Sequence, residues 1–200
     1  MADKLLLFNK WDLSHVQVAD TGLRKYINLR PVIIPKTFGR FTTDSIHKPN
    51  INIVERFITK LMVPGHKGKK HKITSGHIPG SYQRLMQSVE DSFTIIEKRT
   101  KKNPVQVLVD AIQNAALYEE VAGYRVGGII ARKAVIVSPQ RRLDVALRLM
   151  VQTIYGSSFK SKKKFHEVIA DELIAISEND QRDNVIRERA RIEKEAEGAR

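Results

Sequence analysis

Two hundred residues with a hydrophobic fraction of 42% can build one large domain with a real core, or one domain with an appendage. A formal charge of +13 and a pI near 10.0 depart from the near-neutral balance of most soluble enzymes and favour nucleic acid or an anionic membrane. The absence of cysteine excludes disulfides, thiolate nucleophiles and Cys-based zinc sites, while the Leu5–Phe8 run is too short for a signal-peptide core and no later apolar run approaches the roughly 18 residues of a membrane span, so a soluble intracellular protein is expected.

Residues 1–48 show no sustained periodicity and are broken by Pro31, Pro35 and Gly39, with Lys36, Arg40 and Lys48 making the second half basic. This reads as an extended N-terminal arm, of a kind that often orders only on a partner. The remaining 49–200 read as one helical domain. Its first helix is expected at about 51–62, where Val54, Phe57, Ile58, Leu61 and Met62 recur at helical spacing and Pro64-Gly65 ends the pattern. Residues 64–80 form a long loop carrying Lys67, Lys69, Lys70 and Lys72 with His66, His71 and His77. A second helix at about 82–100 has the strongest stripe, Tyr82, Leu85, Met86, Val89, Phe93 and Ile96. Asn103-Pro104 starts a third, which ends near Ala116.

Two β-prone runs separated by Gly127-Gly128 then read as a hairpin over about 119–137, because both turn residues can take positive φ without steric cost. That turn pairs Val126 with Ile129, Arg125 with Ile130 and Tyr124 with Ala131. Ser138-Pro139 caps a fourth helix at about 139–155, a fifth covers about 162–177, and a thin-striped, charge-laced sixth covers about 181–197. The fold class is therefore mainly α: six helices with a protruding two-stranded β-ribbon between the third and fourth, plus the arm. The ribbon is too small to be stable unless its base rests on the helices.

Charge is unevenly spread. Residues 36–72 carry nine Lys/Arg against two acids and 119–164 ten against three, whereas 165–200 carry six against ten. The final segment is expected to avoid a polyanion or to face another protein. Within the basic stretches, Arg125, Arg132 and Lys133 stud a ribbon of a size that fits a nucleic-acid groove, although an ordinary hairpin with solubilising charges has the same pattern. Arg141 and Arg148 are two helical turns apart, with Arg142 about 100° round from Arg141. All three are expected on an exposed arc that can fork phosphate, or that is simply a solvated helix face. Lys160, Lys162, Lys163 and Lys164 open the fifth helix at the wrong end for its dipole, a conflict that bound phosphate would offset.

Chemistry beyond binding is not expected. The loop histidines match no usual ligand spacing and have lysines among them, so no metal or other cofactor is called for. There is no Gly-x-Ser-x-Gly elbow, Walker loop or His-Glu-x-x-His, and Glu119-Glu120 reads as a solvated strand edge rather than an acid/base pair.

Several blocks in order resemble the small-subunit ribosomal protein S seven family: Val54-Glu55-Arg56, Ile95 to Thr100 with Asn103-Pro104, Arg125 to Gly128, Val135 to Arg142, Ala146-Leu147-Arg148, Ser158 to Lys163 and Glu172-Leu173. The arm, with Trp11-Asp12 and Tyr26-Ile27-Asn28-Leu29, resembles the archaeal and eukaryotic branch. The resemblance implies a non-enzymatic structural protein of the cytoplasmic ribosome that binds the 3′ major domain of small-subunit rRNA and nucleates assembly of the head. It implies rRNA contacts for Arg141, Arg142, Arg148, Lys160, Lys162, Lys163 and Lys164, while Lys36, Arg40, Lys48, Lys67, Lys69 and Lys70 are expected at rRNA from their positive charge alone. It also implies a ribbon of Tyr124, Arg125, Gly127, Gly128, Arg132 and Lys133 near exit-site tRNA and mRNA, beside small-subunit protein number eleven. No membrane partner and no functional homo-oligomer are implied. The alternative from the residues alone is an architectural DNA-binding protein whose ribbon enters a groove.

Overall fold

Among the described residues, three of the six helices begin on a side chain that accepts from the first turn. Asn52 takes the Val54 N–H (2.9 Å), Asn103 the Val105 N–H (3.0 Å) and Asp183 the Val185 N–H (2.6 Å), each satisfying a donor that the helix itself cannot. The computed structural model describes residues 5–64 and 80–200. A 3-10 turn at Lys48–Asn50 precedes helix α1 (Ile53–Met62), and α2 (Tyr82–Thr100) and α3 (Pro104–Ala115) follow. Strands β1 (Glu119–Val126) and β2 (Ile129–Ile136) form the ribbon, and α4 (Pro139–Ser158), α5 (Phe165–Ser177) and α6 (Asn184–Glu197) complete the order. Among the described residues no helix is long and apolar enough to cross a membrane.

Helix α5 is the centre of the core. Val168, Ile169, Ala170, Leu173 and Ile176 are buried along it, and it packs on α2, α3 and α4. Because α5 starts at Phe165, the 160–164 lysines precede it rather than occupy its first turn. The expected dipole conflict is also eased from within: Glu167 accepts the Lys164 N–H at 2.9 Å, and Lys163 pairs with Asp171 at 2.6 Å.

Among the described residues the arm has no regular helix or strand before the 3-10 turn, yet its first half is part of the core. Leu7, Trp11, Leu13, Leu23 and Ile27 are all buried with the helical residues. Trp11 meets Phe93 edge-on at 5.6 Å between ring centroids and donates to Glu97 at 3.1 Å. Arm backbone is satisfied by helix side chains, with Gln106 both accepting from the Gln17 N–H (2.8 Å) and donating to the Gln17 carbonyl (3.0 Å).

The ribbon has the expected register, Val126 to Ile129, Arg125 to Ile130 and Tyr124 to Ala131. Gly127 and Gly128 both adopt positive φ, +55° and +90°, as a two-residue primed turn requires. Its base rests on α6, while Ile129 and Ile130 near the tip are 75% and 67% exposed. Ser138 stands at the N-cap of α4 with Pro139 first in the helix, but its side chain makes no capping hydrogen bond.

Candidate nucleic-acid interface

The inward stripe of α4, which includes Leu143, Ala146, Leu147, Met150 and Ile154, turns Arg141 and Arg148 outward, and both are exposed. On α1 the buried Val54, Phe57, Ile58 and Leu61 set Lys60 toward the same side, one turn beyond Arg56. Between the two helices and the 3-10 turn lies a groove of about 620 Å³ lined by Lys48, Arg56, Lys60, Arg141 and Arg148 among others, with Asp144 the one acid in its wall.

Asp144 organises this groove without neutralising it. Its carboxylate takes Lys48 Nζ at 2.7 Å and Arg56 Nη2 at 2.8 Å, and Arg56 is itself only 7% exposed. Burial acts to raise the Asp144 carboxyl, but the hydrogen bond from Lys48 and the charges of Arg56 and Lys48 outweigh it and hold the group below its usual range. One anion thus serves two cations. Lys60 and Arg148 have no ion-pair partner among the described residues. The wall is a track of excess positive charge, suited to a phosphodiester backbone rather than to a small buried ligand.

Not every expected site residue joins it. Lys48, Arg141 and Arg148 come together in the groove. Lys36 instead lies over the rings of Phe38 (4.5 Å) and Tyr82 (5.3 Å), and Arg40 is exposed on the arm. Lys160, Lys162, Lys163 and Lys164 are exposed beyond the far end of α4, a helix about 30 Å long at 1.5 Å per residue, so they form a separate patch. Arg125, Arg132 and Lys133 are exposed on the ribbon, with Tyr124 49% exposed among them. Lys67, Lys69 and Lys70, with the loop histidines, lie outside the described residues. Among the described residues no group of His, Asp or Glu could hold a metal ion.

Arg142 is a correction. It was expected beside Arg141 on an exposed arc, but it is only 7% exposed. Its Nε donates to the Leu117 carbonyl at 2.9 Å, its Nη2 to Asp20 at 2.6 Å, and its guanidinium lies 4.4 Å from the centre of the Tyr118 ring. Burial acts to raise the Asp20 carboxyl, yet hydrogen bonds from Arg142 and from the Gly22 and Leu23 N–H groups, with the Arg142 charge, carry it below the usual range. Arg142 therefore ties the arm to the junction between α3 and β1.

Glu119 and Glu120 also differ from expectation. Neither is a free solvated edge: Arg200 donates to both Glu119 oxygens at 2.6 and 2.7 Å, and Arg141 forks both oxygens of Glu120. Arg56, Lys60 and Asp144 were missed. The signal for Lys60 was present, since the α1 stripe leaves it opposite the core; that for Asp144 was not, because its partners are distant in sequence.

The family model described as "Ribosomal protein S7p/S5e" matches residues 23–200. This chain belongs to that family. It is 44% identical to the small ribosomal subunit protein uS7 of Nanoarchaeum equitans, over 98% of this chain and all of that one. The proteins of the same name from Archaeoglobus fulgidus and Methanoregula boonei are 41% and 40% identical, over 99% and 98% of this chain and 96% and 91% of theirs. These relatives place the chain in the archaeal branch of the family. Members are ribosomal proteins without enzymatic activity.

Proposed function

We propose that this protein is a structural component of the small ribosomal subunit in the cytoplasm that holds the 3′ major domain of small-subunit rRNA and helps nucleate the head. The observation that carries the reading is the α1–α4 groove, lined by Lys48, Arg56, Lys60, Arg141 and Arg148 with Asp144 the one acid among its described lining residues. The exposed lysines at 160–164 form a second backbone contact beyond the far end of α4. The ribbon, with Arg125, Arg132 and Lys133 beside Tyr124, reaches toward exit-site tRNA and mRNA, and its exposed Ile129 and Ile130 suit a neighbouring protein such as small-subunit protein number eleven. Family membership and the relatives' names support the ribosomal part of this reading; the groove supports the choice of surface.

Competition tests it against an architectural role on DNA. An in vitro transcript of the 3′ major domain is expected to displace duplex DNA of equal length by a large factor at moderate salt. Equal affinity for the two would sink the rRNA assignment.

A further inference from the structure

One side chain belongs both to the groove and to the root of the ribbon. Arg141 lines the groove, and its Nε and Nη2 donate to the two carboxylate oxygens of Glu120, the second residue of β1, at 2.5 and 2.8 Å. Glu120 is paired in register with Val135, so the guanidinium grips the ribbon where it leaves the body. Among the described residues this is the one ion pair between α4 and a ribbon strand. The ribbon's other ties run to α6 and the residues after it: Glu119 with Arg200, the Ala134 N–H to the Ala199 carbonyl at 3.4 Å, and the Tyr118 N–H to Glu193 at 3.1 Å.

The Arg141 and Glu120 side chains are 53% and 21% exposed, and part-exposed pairs of this kind are weak enough to be exchanged. A phosphodiester presents two non-bridging oxygens that suit the same planar fork. Arg141 keeps an unused edge at Nη1, but a phosphate seated there puts two anions on one cation, and their mutual repulsion weakens the hold on Glu120.

Resting on the reading that the groove carries RNA backbone, we propose that Arg141 couples the two regions: a phosphodiester in the groove draws Arg141 from Glu120 and frees the ribbon root, so the ribbon becomes adjustable once RNA is bound. Coupling of this kind is reciprocal. A ligand that pulls the ribbon away from Glu120 tightens the groove by the same factor.

The chain has no cysteine, so two introduced ones take spin labels without background. Ile129→Cys near the ribbon tip and Lys98→Cys on α2 both replace exposed residues. In that doubly labelled protein, Glu120→Gln is expected to broaden the tip-to-body distance distribution without any RNA, and to tighten binding of the 3′ major domain transcript roughly two- to fivefold. The same transcript added to the protein with Glu120 intact should broaden the distribution to a similar extent. Added to Glu120→Gln it should broaden it no further, which separates release of the root from direct contact of RNA with the tip. A narrow distribution in Glu120→Gln, or tight binding of the transcript that leaves the distribution unmoved, overturns the coupling and leaves the groove reading standing. A transcript whose affinity ignores Lys60→Ala and Arg148→Ala overturns the groove reading, and the coupling with it.

Discussion

The groove between α1 and α4 and the junction behind it each depend on an arginine from the first turn of α4, and the two arginines are adjacent in sequence. Arg141 is exposed, and its one recorded carboxylate partner, Glu120, is on the ribbon. Arg142, about 100° further round, is buried against Asp20, the Leu117 carbonyl and the Tyr118 ring. The difference is in who supplies the anion. At the junction the protein provides a carboxylate, a carbonyl and an aromatic face for one cation, so its charge is answered from within. In the groove one carboxylate, Asp144, is shared by Lys48 and Arg56 while Lys60 and Arg148 go unpaired, and the surplus charge faces outward. Density of arginine alone does not mark a binding surface; unbalanced charge at a surface does.

The largest expected effect breaks the comparison at the junction. Arg142→Ala should cost roughly 1–3 kcal/mol in chemical denaturation, because it empties a buried guanidinium site, leaves the Leu117 carbonyl without its donor and takes the ion pair from a part-buried Asp20. A loss under about 0.5 kcal/mol, the scale of an ordinary surface substitution, would mean that the junction is not structural. Asp20 supplies a pH signature for the same contact. Its folded-state value lies below the unfolded one, so its contribution is present above about pH 4 and disappears as pH falls through the lower folded value. Arg142→Ala should flatten that acid limb.

Glu172 sharpens the comparison from the other direction. Burial first, and then Asp183, push its carboxyl up to about 7, against an opposing hydrogen bond from Ser157, and its buried Oε2 meets no hydrogen-bond donor among the described residues. A folded-state value above the unfolded one gives stability that is full below about pH 4.5 and declines as pH rises through 7. Glu172→Gln should remove that decline, so a melting temperature measured at pH 8 should rise relative to the parent while that at pH 4 changes little. A parallel decline in both proteins would exclude Glu172 as its source.

The helices were legible because each carries a stripe at helical spacing and a terminal signal. Asn103-Pro104 opens α3, and Pro64 follows soon after α1 ends at Met62. The ribbon register was legible from Gly127-Gly128, since a two-residue turn leaves one pairing consistent with the flanking strands. The arm was not: Leu7, Trp11, Leu13, Leu23 and Ile27 are buried at irregular intervals, a spacing that follows the surface of the helices beneath rather than a period of their own. The fate of Arg142 was equally hidden, because its carboxylate lies 122 residues away in a stretch with no regular structure. Of the groove, the α4 arginines and Lys48 could be named in advance, whereas α1's contribution required knowing that the two helices lie side by side.

The salt dependence of binding to the 3′ major domain transcript tests the groove most directly, comparing the parent with Lys60→Ala plus Arg148→Ala. Neither side chain has an ion-pair partner among the described residues, so the melting temperature should be unchanged. Removal of two phosphate contacts should reduce the slope of log affinity against log salt by about 1.4–1.8 and weaken binding on the order of tenfold at physiological salt. An unchanged slope in a stably folded variant would contradict the groove as the place where RNA is held.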